Sequence, residues 1–184
     1  MLGVGGGAVG ASRARVRCAW CKFRVLSSIL TARRVSLKLK GKVYRACVQS
    51  VLIYGSETWA MRVEDMQRLE RAERMMLRWM CGVSLKDRVK IDELLHRLHI
   101  EGVSDVVRRG RLRWFGHVER KRGDDWVTAC RELAVDGVRG RGRGRKTWMQ
   151  CVKGDMSLLG LTREDAQDRG VWKAGIHGKP SKPC

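Results

Sequence analysis

The chain has 184 residues, with 39 Lys and Arg against 19 Asp and Glu for a formal charge of +20, and 43% of it is hydrophobic. That length fits one domain or two small ones, and the apolar share supplies a core while a mean hydropathy of −0.34 keeps the chain polar, which excludes collagen-like and wholly disordered classes. No run approaches the roughly 18 apolar residues of a membrane span; the longest, Ala46 to Tyr54, is too short.

In chain order, Gly3 to Gly10 reads as a flexible leader. Ser12 to Leu30 repeats Val16, Trp20, Phe23, Leu26 or Ser27, and Leu30 at steps of three and four, with Arg13, Arg17 and Arg24 turned elsewhere, and this predicts an amphipathic helix. A second helix is predicted from about Ser36 to Tyr54. Its apolar face is Leu39, Val43, Ala46 or Cys47, Ser50 or Val51, and Tyr54, with Lys38, Lys42 and Arg45 off that face and Gly55 as the stop. Glu64 to Cys81 is the clearest helix: acids open its first turn, Met66, Leu69, Ala72 or Glu73, Met76, Trp79 and Met80 form its stripe, and Gly82 ends it.

Ile91 to Leu98 and Ser104 to Arg122 follow, the latter capped by Ser104, with Val103, Val106, Val107, Leu112, Trp114, Phe115 and Val118 inward. Val138 to Lys146 alternates Arg and Gly without an apolar anchor and reads as a loop. Thr147 to Leu159 and Thr162 to Ile176 are the last two helices, Thr162 with Asp165 forming a variant capping box, and Gly178 to Cys184 is a frayed end.

The charge is uneven. Residues 1–56 hold eleven basic side chains and no acid, while the net charges of 57–100, 101–150 and 151–184 are +1, +6 and +2. A stretch that cannot neutralise itself, at a pI of 10.6, fits a polyanion such as RNA or DNA; a solubilising face is the alternative. Arg139, Arg141, Arg143, Arg145 and Lys146 are the sharpest local feature, because Arg forks onto phosphate oxygens while Gly lets the backbone approach. Residues 1–10 lack the charged start of a secretory signal, an Arg-rich mitochondrial presequence being the other reading, and scattered Cys imply free thiols in a reducing compartment, so an intracellular, nuclear or cytoplasmic, location is expected.

Catalytic constellations are missing: no paired acids in a strand-turn setting, no Gly-flanked nucleophilic Ser, no phosphate loop. Asp124-Asp125 reads as a solvated turn or cap. Cys18 and Cys21 have the gap of a zinc or redox pair but lack a second pair, and His96 and His99 read as half-exposed helix residues. His117 either faces phosphate or caps an aromatic cluster. The seven Trp are spread along the helices as core residues, with Trp148, beside Arg145 and Lys146, open to base stacking.

Six blocks in order carry a resemblance: Lys40-Gly-Lys-Val-Tyr-Arg-Ala-Cys47, Tyr54-Gly-Ser-Glu-Thr-Trp59, Met76-Leu-Arg-Trp-Met-Cys-Gly82, Arg111-Leu-Arg-Trp-Phe-Gly-His-Val118, Gly140-Arg-Gly-Arg-Gly-Arg-Lys-Thr-Trp148, and Ala166-Gln-Asp-Arg169 with Trp172. From Met1 to Ile176 the chain resembles the region downstream of the reverse transcriptase palm in non-LTR (LINE-type) retrotransposon polyproteins. The resemblance implies a helical thumb, which holds template-primer duplex, and a C-terminal extension that grips element RNA or target DNA. It places the palm with its metal-binding aspartates upstream, so neither polymerase nor endonuclease active site is expected here. Family members often read Arg-Pro where this chain has Arg143-Gly144, which leaves the loop softer, and Cys151 and Cys184 do not reproduce the zinc knuckle of some clades.

The sequence thus predicts an all-α, irregular bundle of about five to seven helices with a basic Arg-Gly loop. The expected division is a leader at 1–11, a thumb-like region at 12–100, a basic extension at 101–176 and a tail at 177–184. The expected function is binding of RNA or RNA/DNA backbone, without enzymatic activity, cofactor, metal or membrane, and candidate partners include the missing palm. Arg139, Arg141, Arg143, Arg145, Lys146, Arg108, Arg109, Arg111, Arg113, Lys38, Lys40 and Lys42 are the expected contacts. The alternatives are an orphaned helical packing fragment without a ligand, and a zinc-dependent module built on Cys18 and Cys21.

Overall fold

A computed structural model describes residues 8–121 and 146–178. The start of the leader, Asp124 and Asp125, Arg139, Arg141, Arg143, Arg145 and the last six residues lie outside the described residues. Within them the chain is all-helical, with seven helices of eight residues or more and no strand. No helix among the described residues is long and apolar enough to cross a membrane. The chain divides into two compact units, Met1–Val107 and Arg108–Cys184.

The first unit opens with α1 (Ala8–Val25), so the last residues of the predicted leader are helical. The predicted single helix to Leu30 is broken at Leu26, which leaves helical dihedrals, while Ser27 Oγ donates to the Arg24 carbonyl and closes off α1. A one-turn α2 (Ser27–Leu30) follows. Ser36 then caps α3 (Leu37–Tyr44), accepting from the Leu39 N–H. The predicted regular helix gives way to a π-helical turn, Arg45–Gln49, and a short α4, Ser50–Leu52.

The face of this segment also differs from the expectation. Leu39 is 50% exposed, whereas Lys40, Gly41, Tyr44, Val48, Gln49 and Leu52 point inward. Gly41 is one cause: a Cβ there would stand 1.9 Å from the Leu98 carbonyl oxygen, so only glycine lets α3 approach that backbone. The π turn is the other, because its wider repeat breaks the 3.6-residue register assumed for a straight helix.

Helix α5 (Val63–Cys81) is the centre of this unit and matches its predicted limits within one residue. Gly82 ends it in the left-handed region at φ 64°, where a side chain would be strained. Its inner residues Leu69, Met76, Leu77 and Met80 join Phe23 of α1, Leu30 of α2, Tyr44 of α3 and Leu52 of α4 in one core. Trp79 of the predicted stripe is instead 56% exposed and meets Trp20 and Phe23 edge-on.

Buried polar links bind the elements. Asp65 accepts from Ser12 Oγ of α1 and from Arg68 Nη1, each at 2.9 Å. Glu73 accepts from the Val103 N–H at 2.8 Å, Gln49 Nε2 at 3.1 Å and Tyr44 Oη at 3.4 Å. Burial pushes the Glu73 carboxyl up from 4.5 to about 7, the three hydrogen bonds opposing and the nearby Glu70 charge adding to it. Burial and the Glu73 charge likewise hold the Tyr44 phenol well above its usual value.

Helix α6 (Ile91–Leu98) has its predicted limits. His96 is exposed on it, and His99 lies past its end as a left-handed cap at φ 52°, not as a helical residue. Helix α7 runs Val103–Glu119, so Ser104 is not its cap; the Glu73 carboxylate takes the Val103 N–H that a local cap would have left open.

The second unit packs Leu112 and Phe115 of α7 against α8 (Trp148–Leu159) and α9 (Arg169–Ile176), with Val152, Ala166, Trp172 and Ile176 completing its core. Thr147 and Gln150 form a reciprocal capping box on α8. Thr162 and Asp165 bond reciprocally as expected, yet they open only a 3-10 turn, Glu164–Ala166. Asp168 then caps α9 separately through the Gly170 and Val171 N–H groups, so the predicted single helix is two elements. Trp172 is buried and donates to the Leu112 carbonyl at 2.9 Å. Gly116 makes room for it, since a Cβ there would lie 2.3 Å from Trp172 Nε1.

Candidate nucleic-acid interface

Two basic stripes stand out of the first unit. On α1, Arg13, Arg17 and Arg24 recur at spacings of four and seven, which at about 100° per residue brings them onto one helix face. All three are exposed. Along the next helical segment Lys38, Lys42 and Arg45 recur at four and three and are likewise exposed. Arg33 and Arg34, between α2 and α3, are exposed as well. With no acid before Glu57, this surface has no carboxylate in its own segment to neutralise it. Arg15 differs, its guanidinium sitting 4.5 Å above the Tyr54 ring.

Lys40 departs from the expectation. It is 4% exposed and its Nζ donates to the Met80 carbonyl at 2.9 Å, at the C-terminal end of α5. A cation there satisfies an orphan carbonyl and meets the negative end of the helix dipole, so Lys40 is part of the packing and not of the surface.

The α7 cations divide in the same way. Arg111 is also 4% exposed, its Nη1 donating to Asp155 Oδ2 of α8 at 2.5 Å, while Arg108 Nε stands 3.8 Å from Asp155 Oδ1. Burial raises the Asp155 carboxyl, with Arg111, Arg108 and Lys146 pulling it back down. Arg111 is therefore a buried counter-ion and is withdrawn from the predicted contact surface, and Arg108 is half-buried beside the same carboxylate. Arg109 is half-buried, whereas Arg113 and Lys146 are exposed.

Arg13, Arg17, Arg24 and Arg45 were not among the predicted contacts, although their helical spacing and the missing acids are signals in the sequence. His117 is exposed and lies beside Trp114, not against the buried aromatics. Trp148 is half-buried, its ring 6.3 Å from Phe115, and belongs to the edge of the second core. Cys18 and Cys21 are exposed free thiols on α1. Among the described residues no group of three or more His, Cys, Asp or Glu side chains gathers as a metal site would need.

The class defined by these features is an all-helical protein of two small units with exposed basic helix faces. No protein-family model matches the chain, and no solved structure matches it. It is similar to a putative uncharacterized transposon-derived protein of Caenorhabditis elegans, 29% identical, the match covering 88% of this chain and 62% of that protein. The chain thus spans less than two thirds of the relative's length. The likeness supports a transposon origin.

Proposed function

We propose that this chain is a nucleic-acid-binding remnant of a non-LTR retrotransposon reverse transcriptase, its thumb and C-terminal extension, which grips RNA or RNA/DNA duplex through phosphates. The observation that carries the reading is the pair of exposed stripes, Arg13, Arg17 and Arg24 with Lys38, Lys42 and Arg45, in a segment of 56 residues without an acid. Arg fits phosphate in a bidentate fork and Lys as a point charge, so both stripes suit backbone recognition without base specificity. In this reading Arg113 and Lys146, with Arg139, Arg141, Arg143 and Arg145 of the Arg-Gly run, are separate phosphate contacts of the second unit. The similarity to a transposon-derived protein supports the element origin. The reading assigns the chain no catalytic step; it binds, and chemistry belongs to a palm elsewhere.

A second reading, a helical fragment that packs on a missing partner, is favoured by exposed apolar side chains such as Val25 and Leu85, at 74% and 79%. Binding of a structured RNA and a matched DNA duplex at two salt concentrations separates the two. Changing Lys38, Lys42 and Arg45 to Ala should flatten the logarithmic salt slope on duplex DNA by about 0.9 for each phosphate that the variant no longer neutralises, and a second variant with Arg139, Arg141, Arg143 and Arg145 changed to Ala should do the same. A wild-type protein without salt-dependent binding overturns the proposal and leaves the packing reading.

A further inference from the structure

The second unit offers a surface of another kind. Trp114 projects from the outer side of α7, 40% exposed, while its neighbours Leu112 and Phe115 are turned into the core. Its indole centroid lies 5.5 Å from the exposed His117 ring at an interplanar angle of 30°, so the two rings, three residues apart on one helix, form a tilted, offset pair. One turn before Trp114 is Gly110, where an added Cβ would meet no heavy atom within 4 Å. The helix surface beside the indole is therefore open.

The other described tryptophans are differently occupied. Trp172 is buried, Trp59 is half-buried against the first core, Trp20 and Trp79 meet edge-on at 5.6 Å, and Trp148 leans toward Phe115. Trp114 has the His117 ring beside it, which leaves much of the indole facing solvent. Of the α7 cations, Arg108 and Arg111 are turned to Asp155, whereas Arg113, adjacent to Trp114, is exposed. An open aromatic surface beside an exposed guanidinium complements a strand that presents both phosphates and unpaired bases.

We propose that Trp114, with His117 beside it, is a stacking site for an unpaired base of single-stranded nucleic acid, with Arg113 holding the adjoining phosphate. The inference rests on the nucleic-acid reading above and goes further in naming an unpaired base as the ligand. Duplex cannot supply that ligand, because its bases are already stacked on one another.

The test uses the full chain and oligonucleotides of one length: a base-bearing single strand, as RNA and as DNA, and the same strand carrying abasic positions. The abasic strand keeps the phosphate charge and lacks the aromatic faces. Wild type is expected to prefer the base-bearing strand by about tenfold, within the range of one aromatic stack. Trp114→Ala should bring that strand down to the abasic affinity, and Trp114→Phe should keep most of the preference. Arg113→Gln should lower the single-strand salt slope by about 0.7. Circular dichroism checks that each variant keeps its helicity, which replacement of an exposed side chain predicts.

Equal wild-type affinity for the two strands overturns the inference, as does a Trp114→Ala loss of the same factor on both. Salt-dependent binding that ignores the bases removes the stacking site alone. Absence of salt-dependent binding to any probe removes the underlying nucleic-acid reading with it.

Discussion

Replacing Glu73 with Gln should change how the stability of the first unit depends on pH. The carboxyl is 3% exposed and its folded pKa stands at about 7 against 4.5 for the free group. A folded state that holds the proton more tightly than the unfolded chain is favoured at low pH, and this contribution fades as pH rises toward and through about 7. Working the linkage from those two values gives a loss of roughly 2–3 kcal/mol between pH 5 and pH 8 from this one group. Glu73→Gln has no such proton to lose. The difference in stability between variant and wild type should therefore move in favour of the variant by roughly that amount across the same interval. Urea unfolding at pH 5, 6, 7 and 8, read through hydrogen exchange of the α5 amides from Leu69 to Met80, isolates the unit concerned. Parallel stability profiles for the two proteins would refute the account of Glu73 as a carboxylate ionised at a cost.

Three further outcomes follow from the packing. Lys40→Met should cost about 1–2 kcal/mol in urea unfolding, because the Met80 carbonyl loses its buried donor, while the salt slope for DNA stays at the wild-type value; a flattened slope would return Lys40 to the surface. Asp155→Ala strands Arg111, 4% exposed, without its counter-ion and should destabilise the second unit by about 3–5 kcal/mol, a thermal melt indistinguishable from wild type contradicting this. On α7, Gly116→Ala should cost about 1–3 kcal/mol by displacing Trp172, whereas Gly110→Ala, with open space around it, should gain up to about 1 kcal/mol. Shifts of the same sign at the two glycines would count against the seating of Trp172.

How much of this was legible depends on whether the deciding interaction is local. Ile91–Leu98 could be read to the residue, and the α5 stop at Gly82 likewise, because periodicity and the glycine cap lie within the segment itself. The exposed stripes were also visible, since Lys38, Lys42 and Arg45 fall off any apolar face that can be drawn through Leu37–Leu52. Lys40 reads as a surface cation because the carbonyl that buries its ammonium is 40 residues away, and Arg111 does so because its carboxylate is 44 residues away. Charge alone does not distinguish a cation held inside from one offered to solvent. The face of α3 was missed for two further reasons, the close approach at Gly41 and the π turn, neither of which leaves a trace in hydrophobic spacing. The sequence offers Ser104 as a cap for α7, while the group that takes its first N–H is thirty residues upstream.

The bond from Trp172 to Leu112 spans sixty positions of sequence, and it sets an order of events during synthesis. Chain elongation at about 5–20 residues per second gives the first unit, complete by Val107, a lead of several seconds before Trp172 is even joined to the chain. During that interval Leu112 and Phe115 have no α9 against which to close. A chain that stops short of residue 172 contains every residue of the first core and lacks Trp172 and Ile176 of the second.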